Sequence, residues 1–219
     1  MSLISSRNLH RLPSIDELAE LMQSLAMLDA VLETTWSARR HHFNHRWAVG
    51  AQLGSINTVE GDSVYGVFTT DGALLKGFDH ESPMSPWHNA NEGVWPGVLG
   101  NLPPLFRDIL LDPSLSFFQT TFCLWQFRGE GGWKRGKIRF PTGLDPDGSE
   151  RLLEVLDGNP ATYKRWAERY FERSVDIKAV KGIYSRLPLT YAMVSLLNPD
   201  RNLLTLKKDA EEIGYPLAI

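Results

Sequence analysis

The run GFDHES, residues 77–82, sets Asp79, His80 and Glu81 side by side where an apolar segment gives way to turn formers. Two carboxylates and an imidazole suffice for acid–base chemistry or for holding a cation. In an extended chain, residues two apart share a face at about 6–7 Å. Asp79 and Glu81 are therefore candidates for a catalytic pair in which one charge raises the other's pKa and the two divide acid and base roles. The same pair could ligate a divalent cation, with water completing the shell. Phe78 and His80 would share the opposite face. An apolar Phe78 marks that face as the core side, and a buried imidazole needs partners on its ring nitrogens. The plainer reading is a hydrogen-bonded His80 that pins the following loop while Asp79 and Glu81 are solvated.

That loop, SPMSPWHNANEGVWPG, carries Trp87, His88 and Trp95 among three prolines and two glycines. Long turn-rich loops are often functional, and a loop tryptophan is either packed down as an anchor or offered as a contact. Trp87, His88 and Trp95 are the candidate binding residues.

Other clusters point to less. ARRHHFNHRW, residues 38–47, holds His41, His42 and His45. A helix would put His41 and His45 on one face, but HHFNH lacks the glutamate of H-E-x-x-H. The segment also lies where helix gives way to strand, and His80 and His88 are the only later histidines. No metal site and no cofactor are expected. The stretch RGEGGWKRGKIRF sets five cations, Arg128, Lys134, Arg135, Lys137 and Arg139, against Glu130, with Trp125, Trp133 and Phe140 interleaved. Basic and aromatic residues together can bind single-stranded nucleic acid. The acidic stretch that follows, residues 141–160, makes internal charge pairing the simpler reading. A formal net charge of −3 likewise argues against a nucleic-acid or membrane partner. There is no G-x-S-x-G elbow and no glycine loop with a lysine opening a helix. Cys123, the one cysteine, sits in FCLWQF and reads as a buried, inert thiol.

The elements that must position these residues follow from periodicity. SIDELAELMQSLAMLDAVLETTW opens on Ser14 and Glu17, spaced as a capping box. Leu18, Leu21, Met22, Leu25, Leu28 and Leu32 then form a helical stripe, with acids on the other face. RWAVGAQLGSI alternates Trp47, Val49, Ala51 and Leu53 and reads as one strand. SVYGVFTT and ALLKGFDH are strands joined at Thr70-Asp71-Gly72. LPPLFRDILLD is a short helix with Asn101 as its cap. TTFCLWQF and WKRGKIRF are two more strands, giving about five antiparallel strands. PTGLDPDGS reads as a linker. Helices alone are expected after it: residues 149–158, 159–172 (capped by Asn159 and Pro160), 175–186, 188–198 and 202–214. The expected fold is α+β, an N-terminal helix packed on the sheet over residues 1–140 followed by a helical region over 141–219. That region is either separate or part of one domain.

The chain of 219 residues, 42% apolar and 22% charged, can bury a substantial core. Its opening segment lacks the charged and apolar regions of a signal peptide, and no apolar run reaches membrane-spanning length. A soluble cytoplasmic protein is expected.

The runs VYGVFTTDGALLKGFDHESPMSPW and DPDGSERLLEVLDGNPATYKRWAERYFE resemble a set of bacterial proteins of unknown function, which implies a bacterial cytoplasmic origin and no particular catalytic residues. The helix-then-sheet order is similar to that of small immunity proteins that neutralise toxins. Together these readings favour a non-enzymatic binding protein for a protein partner, using the loop 79–95. The alternative is a hydrolase with Asp79 and Glu81 as acid and base or as cation ligands.

Overall fold

A computed structural model describes residues 3–89 and 92–219. Residues 1 and 2 of the opening segment, and residues 90 and 91 of the predicted contact loop, lie outside the described residues. The protein is α+β. Helix α1 (Ile15–Leu32) covers one face of a six-stranded antiparallel sheet whose strands lie in chain order. The strands are β1 (His41–Ala48), β2 (Ala51–Asn57), β3 (Ser63–Thr69), β4 (Gly72–Phe78), β5 (Phe122–Phe127) and β6 (Lys134–Arg135). Helix α2 (Pro104–Leu110) belongs to the apolar cluster on the other face, through Phe106 and Leu110. The C-terminal region holds α3 (Ser149–Leu152), α4 (Pro160–Tyr170), α5 (Ile177–Tyr184), α6 (Tyr191–Leu197) and α7 (Leu203–Ile213).

Helix α1 begins as its sequence dictates. Ser14 and Glu17 form a reciprocal capping box, satisfying amide groups that the first helical turn leaves unpaired. Its far half is buried on every side, Met27 through Leu32 included, because α5, α6 and α7 close over the side that the sheet leaves free. The expectation of acids on an outer face fails at Asp29, which has no exposure. Helices of the C-terminal third thus share one apolar core with α1 and the sheet. Helix and sheet approach closely where Gly54 and Gly66 pair across β2 and β3. A Cβ at either would lie within 2.8 Å of Met22 side-chain atoms, so the two glycines form the notch that seats Met22.

Both faces of β4 are buried. Ala73 and Leu75 point to the α1 core, whereas Leu74 joins Val67, Cys123 and Trp125 in the α2 core. This double burial leaves the strand ends and the loops as the places where polar groups can gather.

Several expectations are corrected. RWAVGAQLGSI is not one strand but β1, a turn at Val49 and Gly50, and β2, with Gly50 at φ +72°. Trp47, Ala51 and Leu53 still pack on one cluster, because register slips between Asn44 and Ala48. The alternation therefore runs through a turn it cannot reveal. His41 to Ala48 supplies the sixth strand. Pro103, not Asn101, is the cap position of α2, and Asn101 adopts a left-handed turn at φ +61°. WKRGKIRF pairs only at Lys134–Arg135. At Gly136 the chain leaves the sheet to pass Gly97, so closely that a Cβ would lie 1.8 Å from its carbonyl oxygen. Strands also return after residue 141, as the short parallel pair β7 (Leu189–Thr190) and β8 (Leu217–Ala218). No helix among the described residues is long and apolar enough to cross a membrane.

Candidate functional site

Strand β4 ends at Phe78, and the three ionisable residues after it diverge. Asp79 turns inward: its Oδ1 accepts the N–H of Glu81 at 2.9 Å and of Ser82 at 3.1 Å. Its own N–H donates to Thr121 Oγ1 at 3.2 Å. Glu81 is exposed and forms no ion pair among the described residues. The strand geometry that would oppose Asp79 and Glu81 on one face is therefore absent. The carboxylate that accompanies Asp79 is Asp62, from the turn between β2 and β3.

Asp62 gathers the site. Its Oδ1 accepts the backbone N–H of His80 at 2.9 Å and lies 2.6 Å from His80 Nδ1. Its Oδ2 accepts from Arg151 Nη2 at 2.7 Å, and the same nitrogen lies 2.9 Å from Asp79 Oδ2. Asp62 is 2% exposed and Asp79 10% at the side chain, while Arg151 is 52% exposed. A half-solvated guanidinium thus bridges two nearly buried carboxylates.

The pKa directions follow. Burial pushes the Asp62 carboxyl up, but the N–H and ring of His80 and the guanidinium of Arg151 outweigh it and hold the pKa below the usual carboxylate value. The hydrogen bond to Asp62 raises the pKa of His80. Desolvation opposes ionisation of Arg151, yet its bonds to Asp62 and Asp79 raise its pKa.

Asp62, Asp79 and His80 each offer a ligand atom, all within 4.8 Å of one another. The set has the oxygen and imidazole chemistry of a cation site. In this arrangement Arg151 Nη2 supplies the positive charge between the two carboxylates.

The segment expected to be a linker closes over this cluster. Pro146, Asp147, Gly148 and Ser149 are buried. Ser82 Oγ donates to Pro146 O at 2.7 Å and Thr121 Oγ1 to Asp147 O at 2.8 Å. Gly148, at φ +74°, passes so near Asp79 that a Cβ would sit 2.2 Å from Oδ2. Only a residue without a side chain fits there. It also leads directly into α3, which carries Arg151.

The loop after the cluster is folded from within. Ser82, Met84, Ser85 and Asn89 are buried, and Asn89 Nδ2 donates to Ser85 O and Gly93 O, both at 2.8 Å. Trp87 sits edge-on against Phe78, with ring centroids 5.0 Å apart, and stays 62% exposed. His88 is exposed beside it. Trp95 is half-buried and donates from Nε1 to Arg139 O at 3.1 Å, which makes it an anchor.

The histidine cluster is dispersed. His41 is buried against Asp29, His42 lies 3.2 Å from Arg39 O and packs on Trp36, and His45 Nδ1 lies 2.8 Å from Glu212 O. Asp29 gathers a second polar cluster in the core. Its carboxylate accepts the N–H of Arg40 and of His41, meets His41 Nδ1 at 3.0 Å, and accepts the Tyr163 hydroxyl at 2.7 Å. Burial would raise the Asp29 pKa, but His41 and these hydrogen bonds outweigh it and lower it.

In the basic stretch Lys134 pairs with nearby Glu130 and Arg128 with Asp16 of α1, and among the described residues none of its cations pairs with residues 141–160. Its tryptophans are interior: Trp125 and Trp133 are buried, Trp133 donating to Pro13 O at 2.7 Å. Cys123 is buried and its thiol is pushed up to about 12 by desolvation, which removes it as a nucleophile.

Asp62 and Arg151 escape sequence reasoning because they lie 18 residues before His80 and 89 residues beyond Asp62 respectively. The glycine of DPDGS was an available signal, since glycine is the residue that permits a left-handed backbone or a close approach. Compared with known proteins, the chain matches no family model, no curated protein and no solved structure.

Proposed function

We propose that this is a non-enzymatic binding protein whose partner is another protein, and that the loop from Asp79 to Trp95 carries the contact surface. One observation supports this most: Trp87 is braced against Phe78 on a loop tied internally by Asn89, yet is 62% exposed. A preorganised aromatic loses little freedom on binding and is the type of residue that dominates interface energetics. The polar cluster beneath it fits a supporting role. Asp79 is spent on two loop N–H groups and Arg151, and Asp62 on His80 and Arg151. The similarity to immunity proteins suggests the form such a role takes, a partner that is itself a toxin.

The hydrolase reading draws less support, because Glu81 is exposed and forms no ion pair among the described residues, so it does not join Asp79 at Arg151. Its best remaining residue is His80, oriented by Asp62 at 2.6 Å.

The test uses tagged wild type, Trp87→Ala and, as a control, Leu144→Ala, whose side chain is exposed elsewhere. A partner retained stoichiometrically from native lysate is then purified and titrated calorimetrically. Trp87→Ala is expected to weaken it about thirtyfold, as for a hot-spot residue worth about 2 kcal/mol, with Leu144→Ala unchanged. Equal affinity for Trp87→Ala, or substrate turnover abolished by His80→Ala, overturns the reading.

A further inference from the structure

At the opposite end of the sheet, the β1–β2 turn, the β3–β4 turn and α2 enclose a groove of about 620 Å³. Trp47, Val49, Leu105, Ile109 and Leu111 give it an apolar floor, with Thr69 and Thr70 beside them. Val49 stands at the hairpin tip with 107% exposure, and Leu111 is 58% exposed. A two-residue hairpin tip is ordinarily Asn, Asp or Gly. Gly50 alone supplies the left-handed conformation here, at φ +72°, so nothing in the turn calls for a valine. Exposed apolar groups gathered round a concavity mark an interaction surface.

The charge on the groove has one sign. Asp71, Asp108 and Asp112 line it, with no lysine, arginine or histidine among the lining residues. None of the three forms an ion pair among the described residues. Nor do they converge: the one grouping of three ligand atoms at metal-binding distance among the described residues is Asp62, Asp79 and His80. Separated carboxylates around an apolar floor suit neither a small cation nor a polyanion. They match a chain that alternates apolar side chains with lysine or arginine.

We propose that this groove binds a basic, apolar segment of a partner protein, seating its large side chains against Val49, Leu105 and Leu111 and its cations on Asp71 and Asp108. This goes beyond the Trp87 surface and is independent of it, since the two lie at opposite ends of β4.

The test is fluorescence polarisation with a labelled synthetic peptide of repeated Leu-Lys-Ala-Lys. One control peptide replaces leucine by serine, another replaces lysine by glutamate. The protein is used as wild type, as the double variant Asp71→Asn/Asp108→Asn, as Val49→Ser and as Trp87→Ala. All four substituted positions are exposed, and thermal denaturation verifies that each variant is folded. The Leu-Lys peptide is expected to bind wild type and Trp87→Ala alike, and the groove variants at least about tenfold more weakly. It is also expected to bind more tightly than either control peptide. Three outcomes overturn the proposal: no binding by wild type, equal binding by the groove variants, or equal binding of the serine peptide, which would mean charge attraction alone. Concentration-dependent dimerisation in sedimentation, lost in the same variants, would overturn it in favour of a second copy of the chain.

Discussion

His80 Nδ1 lies 2.6 Å from Asp62 Oδ1, so the second side chain of the loop after β4 clasps the turn between β2 and β3. The hydrogen bond to Asp62 raises the His80 pKa from 6.5. A group whose folded pKa is raised stabilises fully below its unfolded value and ceases to do so as pH rises through the folded value. Denaturation midpoints of wild type should therefore fall, relative to those of His80→Gln, as pH rises from below 6.5 through the raised folded value. Parallel pH curves for the two proteins would show that the clasp is not coupled to folding.

Arg151 is the counter-charge for two nearly buried carboxylates. Arg151→Ala should lose about 2–3 kcal/mol, less than the roughly 3–5 kcal/mol for breaking a fully buried pair, because the guanidinium itself is half-solvated and screened. It should also expose the ligand set of Asp62, Asp79 and His80. Manganese or zinc at millimolar concentration is then expected to raise the melting temperature of Arg151→Ala and leave wild type unmoved. A variant indifferent to both metals would show that the three groups do not form a site even when vacated.

Lys76 is fully buried in β4, its ammonium donating to Leu115 O and to Ser116 O, the latter at 3.0 Å. Desolvation lowers its pKa from 10.5 to about 8. Directly opposite in β5 is Cys123, whose thiol is raised from 9.0 to about 12. Between the lysine's two values the unfolded chain binds more protons, so stability rises with pH. Above 9 the unfolded thiol ionises first, and this offsets the lysine's gain. Wild type should gain about 1 kcal/mol from pH 8 to pH 9 and then level off. Lys76→Met should lack the gain, and Cys123→Ala should extend it towards pH 10. A flat wild-type profile would contradict this balance.

What could be read from the sequence was local. Ser14 with Glu17, Asn159 with Pro160, Gly214 and the Asp71-Gly72 turn all act through neighbours within a few residues, and each appears in the structure. The α+β class followed from the same signals. The turn at Val49 and Gly50 was hidden because slipped register in β1 keeps Trp47, Ala51 and Leu53 on one side. The cluster was half legible: GFDHES was visible, but its partners Asp62, Thr121 and Arg151 are set by how the sheet and α3 fold. Asp29 and Lys76 carried polar labels in apolar surroundings, and only tertiary burial tells such residues from surface ones.

Asp29 couples three parts of the chain, one of them far away in sequence. Its carboxylate meets amides at the start of β1, 11 and 12 residues on, and the Tyr163 hydroxyl of α4, 134 residues on. Until all three arrive, burying α1 leaves a charge unsatisfied, so partly assembled states are penalised and the native one is not. The polar knot thereby works as an assembly check. It rewards docking the edge strand and α4 against α1 together, since each supplies a partner that the buried carboxylate would otherwise lack.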